Sequence, residues 1–125
     1  MSEHVIDNIA AGGIVPVVVL TDPAAADPLA AALLHGGLRC AEVTFRTDAA
    51  VDAIKAMAAH PEMLVGAGTV LTPAQVDLAV EAGARFVVSP GFSAAVVAHC
   101  LFLGLTSDLV VAGPNGIEHR QAPAR

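Results

Sequence analysis

Three side chains that could do acid–base or anion-binding chemistry alternate along one short apolar segment. Glu42, Thr44 and Arg46 are separated by Val43 and Phe45. In an extended strand, this spacing places the carboxylate, the hydroxyl and the guanidinium on one side and the apolar pair on the other. Burying such charges is unfavourable unless they pair or meet a ligand. The pattern therefore indicates a site on this strand.

Two types of chemistry suit these residues. Burial would raise the pKa of the Glu42 carboxyl toward neutrality, which is what a general acid or base needs. The planar fork of Arg46 suits bidentate binding of a substrate carboxylate. The alternative is an internal ion pair between Glu42 and Arg46, and the spacing alone favours neither interpretation.

Two later apolar runs also end in small or polar residues, as strands do where α/β proteins bind ligands. They are Val-Gly-Ala-Gly-Thr at 65–69 and Phe-Val-Val-Ser-Pro-Gly at 86–91. The glycines before Thr69 let a ligand approach the backbone, but they are equally typical of a tight strand exit. Their spacing is not a dinucleotide-binding fingerprint. Function is therefore expected at the strand ends.

The elements that would position these residues follow a βα repeat. Apolar runs begin near residues 14, 40, 64, 86 and 108, and the stretches between them have helical patterns that end at Gly or Pro. Thr72, Pro73 and Gln75 form a capping box that opens the third of these helices. This organisation predicts an α/β fold with four βα units and a fifth strand candidate. Because a complete (β/α)-barrel needs at least about 200 residues, we expect an incomplete barrel.

We predict one partial-barrel domain over residues 1–112 and an irregular tail over 113–125, which is polar and rich in turn formers. The chain of 125 residues is 55% hydrophobic and 14% charged, as a globular domain is. Its net charge of -6 and its lack of Trp and Tyr argue against nucleic-acid binding. Without a signal peptide or a membrane-length apolar run, a cytoplasmic protein with a small-molecule partner is expected. The scattered histidines and the separate Cys40 and Cys100 argue against a metal centre or a disulfide.

Four segments in register resemble the motifs of the 2-keto-3-deoxy-6-phosphogluconate / 4-hydroxy-2-oxoglutarate aldolases. They are Val-Pro-Val at 15–17, Ala-Glu-Val-Thr-Phe-Arg-Thr at 41–47, Val-Gly-Ala-Gly-Thr-Val at 65–70 and Ser-Pro-Gly-Phe at 89–92. The resemblance implies a class I aldolase, usually trimeric, on a (β/α)₈ barrel. Such an enzyme cleaves its keto acid to pyruvate and an aldehyde through a Schiff base and needs no metal or other cofactor. It also implies that Glu42 transfers protons, that Arg46 and Thr69 hold the pyruvate carboxylate, and that Pro90 lines the same pocket.

The chain departs from this family at the Schiff base itself. The family's lysine lies on the sixth strand, whereas the only lysine here, Lys55, falls on a predicted helix. The segment 107–114 occupies the place of the fifth strand without resembling it, and the phosphate-binding loops of such barrels have no counterpart. A frameshift, a truncation or a remodelled gene end would explain this. We therefore expect the chain to be inactive alone.

Two alternatives remain. The chain could be a non-catalytic half barrel or a keto-acid-binding remnant that keeps Glu42, Arg46 and Thr69. A different phosphate-binding barrel, such as an isomerase, fits less well, because the Glu-x-x-x-Arg spacing is followed by Gly-Ala-Gly-Thr. The sequence leaves open which keto acid is used, whether a second chain supplies the missing half, and which homo-oligomer forms.

Overall fold

The computed structural model of the chain describes residues 3–89, 93–103, 109–113 and 116–119. Within these residues one sheet has six strands, and their order in the sheet is their order in the chain. The strands are β1 (Val17–Val18), β2 (Cys40–Thr44), β3 (Leu64–Gly68), β4 (Phe86–Ser89), β5 (Leu109–Gly113) and β6 (Gly116–His119). Strands β1 to β5 are parallel, and β6 is antiparallel to β5.

In the described part of the chain, four helices connect the parallel strands in turn, and a fifth precedes β1. The helices are α1 (Glu3–Gly12), α2 (Ala26–His35), α3 (Ala50–Ala58), α4 (Pro73–Ala82) and α5 (Ala94–Phe102). A single 3₁₀ turn at Pro23–Ala25 leads into α2. Helices α2, α3 and α4 each contact the next helix along the chain. The predicted α/β fold of four βα units followed by a fifth strand is therefore confirmed.

The two faces of the sheet bury different residues. One face packs against the helices and forms the main core, which includes Ala41, Val43, Val65, Ala67 and Val87 of the strands. On the other face, a smaller cluster brings Cys40 and Phe86 together with Ile9, Val15, Leu64 and Val88. Since side chains alternate along a strand, Glu42, Gly66 and Gly68 belong to this second face. The candidate carboxylate therefore lies on the face turned away from the helices.

The capping box predicted for α4 is present. The Thr72 hydroxyl accepts a hydrogen bond from the Gln75 N–H at 3.2 Å, while Gln75 Oε1 accepts one from the Leu71 N–H at 2.7 Å. Pro73 begins the helix, and Gly83 ends it with a left-handed φ of 116°. These local signals fix where β3 is followed by its helix.

Three elements differ from the sequence prediction. No helix was predicted before β1, although Val5 and Ile9 of α1 have helical i, i+4 spacing. Strand β1 is shorter than the apolar run 14–20, since Pro16 lacks an N–H and contributes only its carbonyl, which accepts from the Glu42 N–H at 2.9 Å. The segment 113–125, predicted to be irregular, contains β6. The domain boundary at residue 112 stays a prediction. None of the described helices has the length and apolar character required to cross a membrane.

Candidate functional site

The Glu42 carboxylate leans toward the carboxyl ends of the strands. Glu42 is opposite Gly66 in the register of β2 and β3. Its Oε1 nevertheless reaches the next residue of the same face, since a Cβ built on Gly68 would lie 2.1 Å from that oxygen. A side chain of any size at position 68 would occupy the place of the carboxylate. Gly68 thus provides the space in which the acid of the site sits.

Gly66 likewise leaves space for an aromatic ring, that of Phe86. A Cβ on Gly66 would lie 2.2 Å from Phe86 Cε2, and Phe86 is only 1% exposed. The carboxylate of Glu42 from β2 and the ring of Phe86 from β4 therefore pack against Gly68 and Gly66 of β3, on one face of the sheet. This explains both glycines as close approaches within the protein.

The electrostatic environment of Glu42 favours its protonated form. Burial raises the pKa of the Glu42 carboxyl above 4.5, and the positive charge of Arg46 opposes that change without cancelling it. Burial, with a smaller effect from the negative charge of Glu42, also raises the pKa of the Cys40 thiol to about 11. Glu42 can therefore exchange a proton at a higher pH than a free carboxyl, whereas Cys40 stays a buried thiol.

Arg46 lies in the turn after β2 and is exposed. Within the described residues, the ion pairs closer than 4.0 Å join His60 to Asp27 and His99 to Asp77, and none joins Glu42 to Arg46. The internal ion pair considered from the sequence is therefore not formed. The guanidinium influences Glu42 through its charge and keeps its donors available for a ligand.

Hydrogen bonds to β3 and to the segment after β1 fix the residues on either side of Arg46. The Phe45 N–H donates to the Gly68 carbonyl at 2.9 Å, and the Thr47 hydroxyl donates to the Leu20 carbonyl. Thr44 is 2% exposed, and its hydroxyl donates to the Val18 carbonyl at 3.4 Å. The third polar residue of the alternating pattern thus has a structural partner.

Thr69 follows β3 directly and has an unusual backbone conformation. Its φ is 56°, the one positive φ outside glycine in the part of the chain described. For a β-branched residue this is a strained conformation, and such strain occurs mainly at functional sites. Thr69 is half-buried and adjoins Gly68, over which the Glu42 carboxylate lies. Pro90, the fourth candidate residue, lies outside the described residues.

Sequence reasoning gave no role to Ser89, although this residue is 3% exposed and its hydroxyl donates to the Val70 carbonyl at 2.8 Å. A polar residue at the end of an apolar strand was the available signal. Within the described residues, no three His, Cys, Asp or Glu side chains group as metal ligands would.

A cleft of about 380 Å³ lies at the opposite end of the sheet, beside the amino-terminal residues Cys40 of β2 and Leu64 of β3. Its charged residues, Arg39 and Glu62, are both exposed. In parallel α/β proteins ligands bind at the carboxyl ends of the strands. The geometry around Glu42 therefore identifies the candidate site better than the size of this cleft does.

The free energy of unfolding should depend on pH in a way that reports the raised pKa of Glu42. Because the folded state raises the pKa of this carboxyl above 4.5, the folded state binds its proton more tightly than the unfolded chain. The stabilisation that comes from protonated Glu42 is then fully present below pH 4.5. It is lost as the pH rises through the pKa that Glu42 has in the folded state. We expect the free energy of unfolding of the native chain, minus that of Glu42→Gln, to fall as the pH rises above 4.5.

Urea denaturation at a series of pH values measures this difference. Glu81→Gln, which removes an exposed carboxylate of α4, controls for the loss of one negative charge. A difference that stays constant or rises with pH would contradict the raised pKa.

The fold and the site together define a protein of the (β/α)-barrel type, with a half-buried carboxylate on the strand face turned away from the helices. Residues 5–118 match the family described as "Aldolase: KDPG and KHG aldolase", where KDPG is 2-keto-3-deoxy-6-phosphogluconate and KHG is 4-hydroxy-2-oxoglutarate. This match covers more than half of the chain, which therefore belongs to the KDPG and KHG aldolase family. The resemblance drawn from the four sequence motifs is confirmed.

Curated relatives agree with this assignment. The 2-dehydro-3-deoxy-phosphogluconate aldolase of Treponema pallidum is 51% identical over 106 residues, covering 84% of this chain and 50% of that protein. The KHG/KDPG aldolase of Escherichia coli K12 is 53% identical over 83 residues, covering 66% of this chain and 39% of that protein. The chain thus spans half or less of the length of these two relatives.

Solved structures give the same result. The 2-keto-3-deoxy-6-phosphogluconate aldolase of Zymomonas mobilis ZM4, solved with 3-phosphoglycerate, aligns with a TM-score of 0.80 at 40% identity, over 89% of this chain and 52% of that one. The KDPG aldolase of Legionella pneumophila, with pyruvate captured as a covalent carbinolamine, aligns with a TM-score of 0.73 at 37% identity. The alignment covers 90% of this chain and 52% of that one. The parallel strands described above therefore correspond to part of an aldolase barrel.

Proposed function

We propose that the chain contributes the keto-acid-binding and proton-transfer part of a class I aldolase that cleaves KDPG or KHG to pyruvate and an aldehyde. The observation that carries this proposal is the half-buried Glu42 carboxylate with its raised pKa, placed over Gly68 beside the strained Thr69. The names of the relatives support the reaction, and the carbinolamine formed by pyruvate in the Legionella enzyme supports a Schiff-base route.

Each residue then has one task. Arg46 and the Thr69 hydroxyl bind the carboxylate of the keto acid, which fixes the carbonyl carbon relative to Glu42. Glu42 accepts the proton of the hydroxyl group next to the bond that breaks, and it returns a proton to the pyruvate carbon afterwards. For Pro90, the family motif Ser-Pro-Gly-Phe at 89–92 is the basis for proposing that it lines the same pocket. The electrons of the broken bond need an iminium as their acceptor, and this requires an amine close to the carbonyl carbon.

Lys55 is not placed to supply that amine. It lies in the last turn of α3 and is exposed, while the face of the sheet that carries Glu42 is turned away from the helices. We therefore propose that the chain is inactive alone and that a lysine from further polypeptide completes the site. The cytoplasmic location, the homo-oligomer and the choice between KDPG and KHG remain predictions.

Pyruvate binding tests the proposed role of Arg46. We expect Arg46→Ala to weaken binding by about 10- to 150-fold, because a hydrogen bond to a charged group contributes about 1.5–3 kcal/mol. Chemical-shift titration with pyruvate measures the dissociation constant. Arg85→Ala, which removes an exposed arginine just before β4 at the other end of the sheet, is the matched control and should bind as the native chain does. Equal binding by both variants would remove Arg46 from the site.

The second candidate function is a non-catalytic half barrel or a remnant that binds keto acids without cleaving them. The exposed position of the single lysine favours it. The two candidates differ in one outcome, since only the aldolase part gains cleavage activity when the remaining strands are supplied.

A further inference from the structure

We propose that Ser89 is a positioning residue for the keto-acid site: through the Val70 carbonyl, its hydroxyl holds Thr69 in the left-handed conformation. The importance of this for binding rests on the proposed function, in which Thr69 contacts the substrate carboxylate. The conformational part of the proposal stands on geometry alone.

The conformation of Thr69 needs support from its surroundings. A φ of 56° is disfavoured for a β-branched side chain, and such strain persists only where neighbouring contacts over-determine the backbone. In this turn, the contacts lie on both sides of the residue. Before it, the Gly68 carbonyl accepts the Phe45 N–H at 2.9 Å. After it, the Val70 N–H donates to the Val88 carbonyl at 3.2 Å.

Ser89 provides the one contact of this set that depends on a side chain. Its hydroxyl donates to the Val70 carbonyl at 2.8 Å, so that both backbone groups of Val70 are held by the end of β4. Val70 itself is fully buried, and the hydrogen bond lies inside the protein. The Phe45 and Val70 amides are kept by any residue other than proline, whereas this bond is lost when the hydroxyl is removed.

Ser89 acts through the backbone because it is not on the site's face of the sheet. It follows Phe86 and Val88, which belong to the second face, and alternation puts it with Val87 on the side of the helices. With 3% of its surface exposed, it cannot touch a ligand bound beside Glu42. Its effect on binding must therefore pass through Val70 to Thr69.

The test compares Ser89→Ala with Ser89→Thr, which keeps the hydroxyl, and with Ile54→Val, which removes one buried carbon from α3. Two quantities are measured under conditions where each variant is folded: the carbon chemical shifts of Thr69, which report its φ, and the dissociation constant for pyruvate. We expect Ser89→Ala to shift the Thr69 carbons toward ordinary values and to weaken binding by about three- to tenfold. Ser89→Thr and Ile54→Val should leave both quantities as they are in the native chain.

Unchanged Thr69 shifts in folded Ser89→Ala would overturn the proposal, whatever happens to stability. If the native chain binds no pyruvate, the proposed function fails, while the chemical shifts still decide the role of Ser89. Thr69→Gly provides a check that does not depend on the folding of Ser89→Ala, because glycine adopts a positive φ without strain. We expect it to resist urea better than the native chain, and a Thr69→Gly variant that unfolds earlier would contradict the strain on which the proposal depends.

Discussion

Pyruvate and borohydride should leave this chain without a stoichiometric covalent adduct. Imine formation requires an amine beside the bound carbonyl carbon, and Lys55 is exposed on α3, on the other side of the sheet from Glu42. Mass spectrometry of the treated chain measures the outcome directly. Stoichiometric reduction onto Lys55, or cleavage of KDPG by the purified chain, would contradict the proposed inactivity.

Adding a second polypeptide to the same experiment should give a positive result. Adding the segment of an aldolase relative that carries strands five to eight should produce both an adduct on that segment's lysine and aldol cleavage. In the mixture, Glu42→Gln should lower the rate of cleavage by about 10²- to 10⁴-fold, the usual contribution of a positioned acid or base. Cleavage that does not depend on Glu42 would assign proton transfer to another group.

Gly68→Ala should disable the site while the fold survives. The new Cβ would lie 2.1 Å from Glu42 Oε1 and 2.6 Å from its Cδ, so the carboxylate has to leave its place. Because the carboxylate is the free end of a flexible side chain, it can swing into solvent. We expect the pKa of Glu42 to fall toward 4.5 as its burial is lost, and cleavage by the complemented barrel to fall as in Glu42→Gln.

Gly66→Ala is the informative comparison. Its Cβ would lie 2.2 Å from the ring of Phe86, which is 1% exposed and therefore cannot swing into solvent as the Glu42 carboxylate can. Overpacking of this kind lowers the free energy of unfolding by about 1–3 kcal/mol. Gly36→Ala controls for the substitution itself, since its Cβ would meet the nearest atom at an ordinary 3.5 Å. Urea denaturation and a carboxyl titration by NMR separate the three variants. A Gly68→Ala chain with an unchanged Glu42 pKa would contradict this account of the site.

Much of the fold could be predicted because its signals are local. Apolar runs of strand length, the capping box at Thr72 and the glycine at Gly83 each act within a few residues. The separation of Glu42 and Val43 onto opposite faces of the sheet was likewise predictable from alternation. Helix α1 was overlooked, although the spacing of Val5 and Ile9 carries the usual helical signal.

The remaining features of the site depend on contacts between strands. Whether Arg46 pairs with Glu42 is decided by the turn that Phe45 and Thr47 hold in place, and spacing along one strand does not contain that information. The left-handed conformation of Thr69 contradicts the ordinary preference of threonine, so propensity points away from it. The role of a buried serine such as Ser89 can be inferred only when the carbonyl that accepts its hydrogen bond is known.

The open edge of strand β1 affects how this chain behaves in a cell. Within the described residues, β1 pairs only with β2, and the side chains of Val17 and Val19 are 61% and 48% exposed. Open strand edges and bare apolar side chains are the features through which newly made chains aggregate and which chaperones exist to manage. We therefore expect the accumulation of this protein in a cell to depend on how soon other polypeptide covers that edge, because until then chaperones and proteases can bind it.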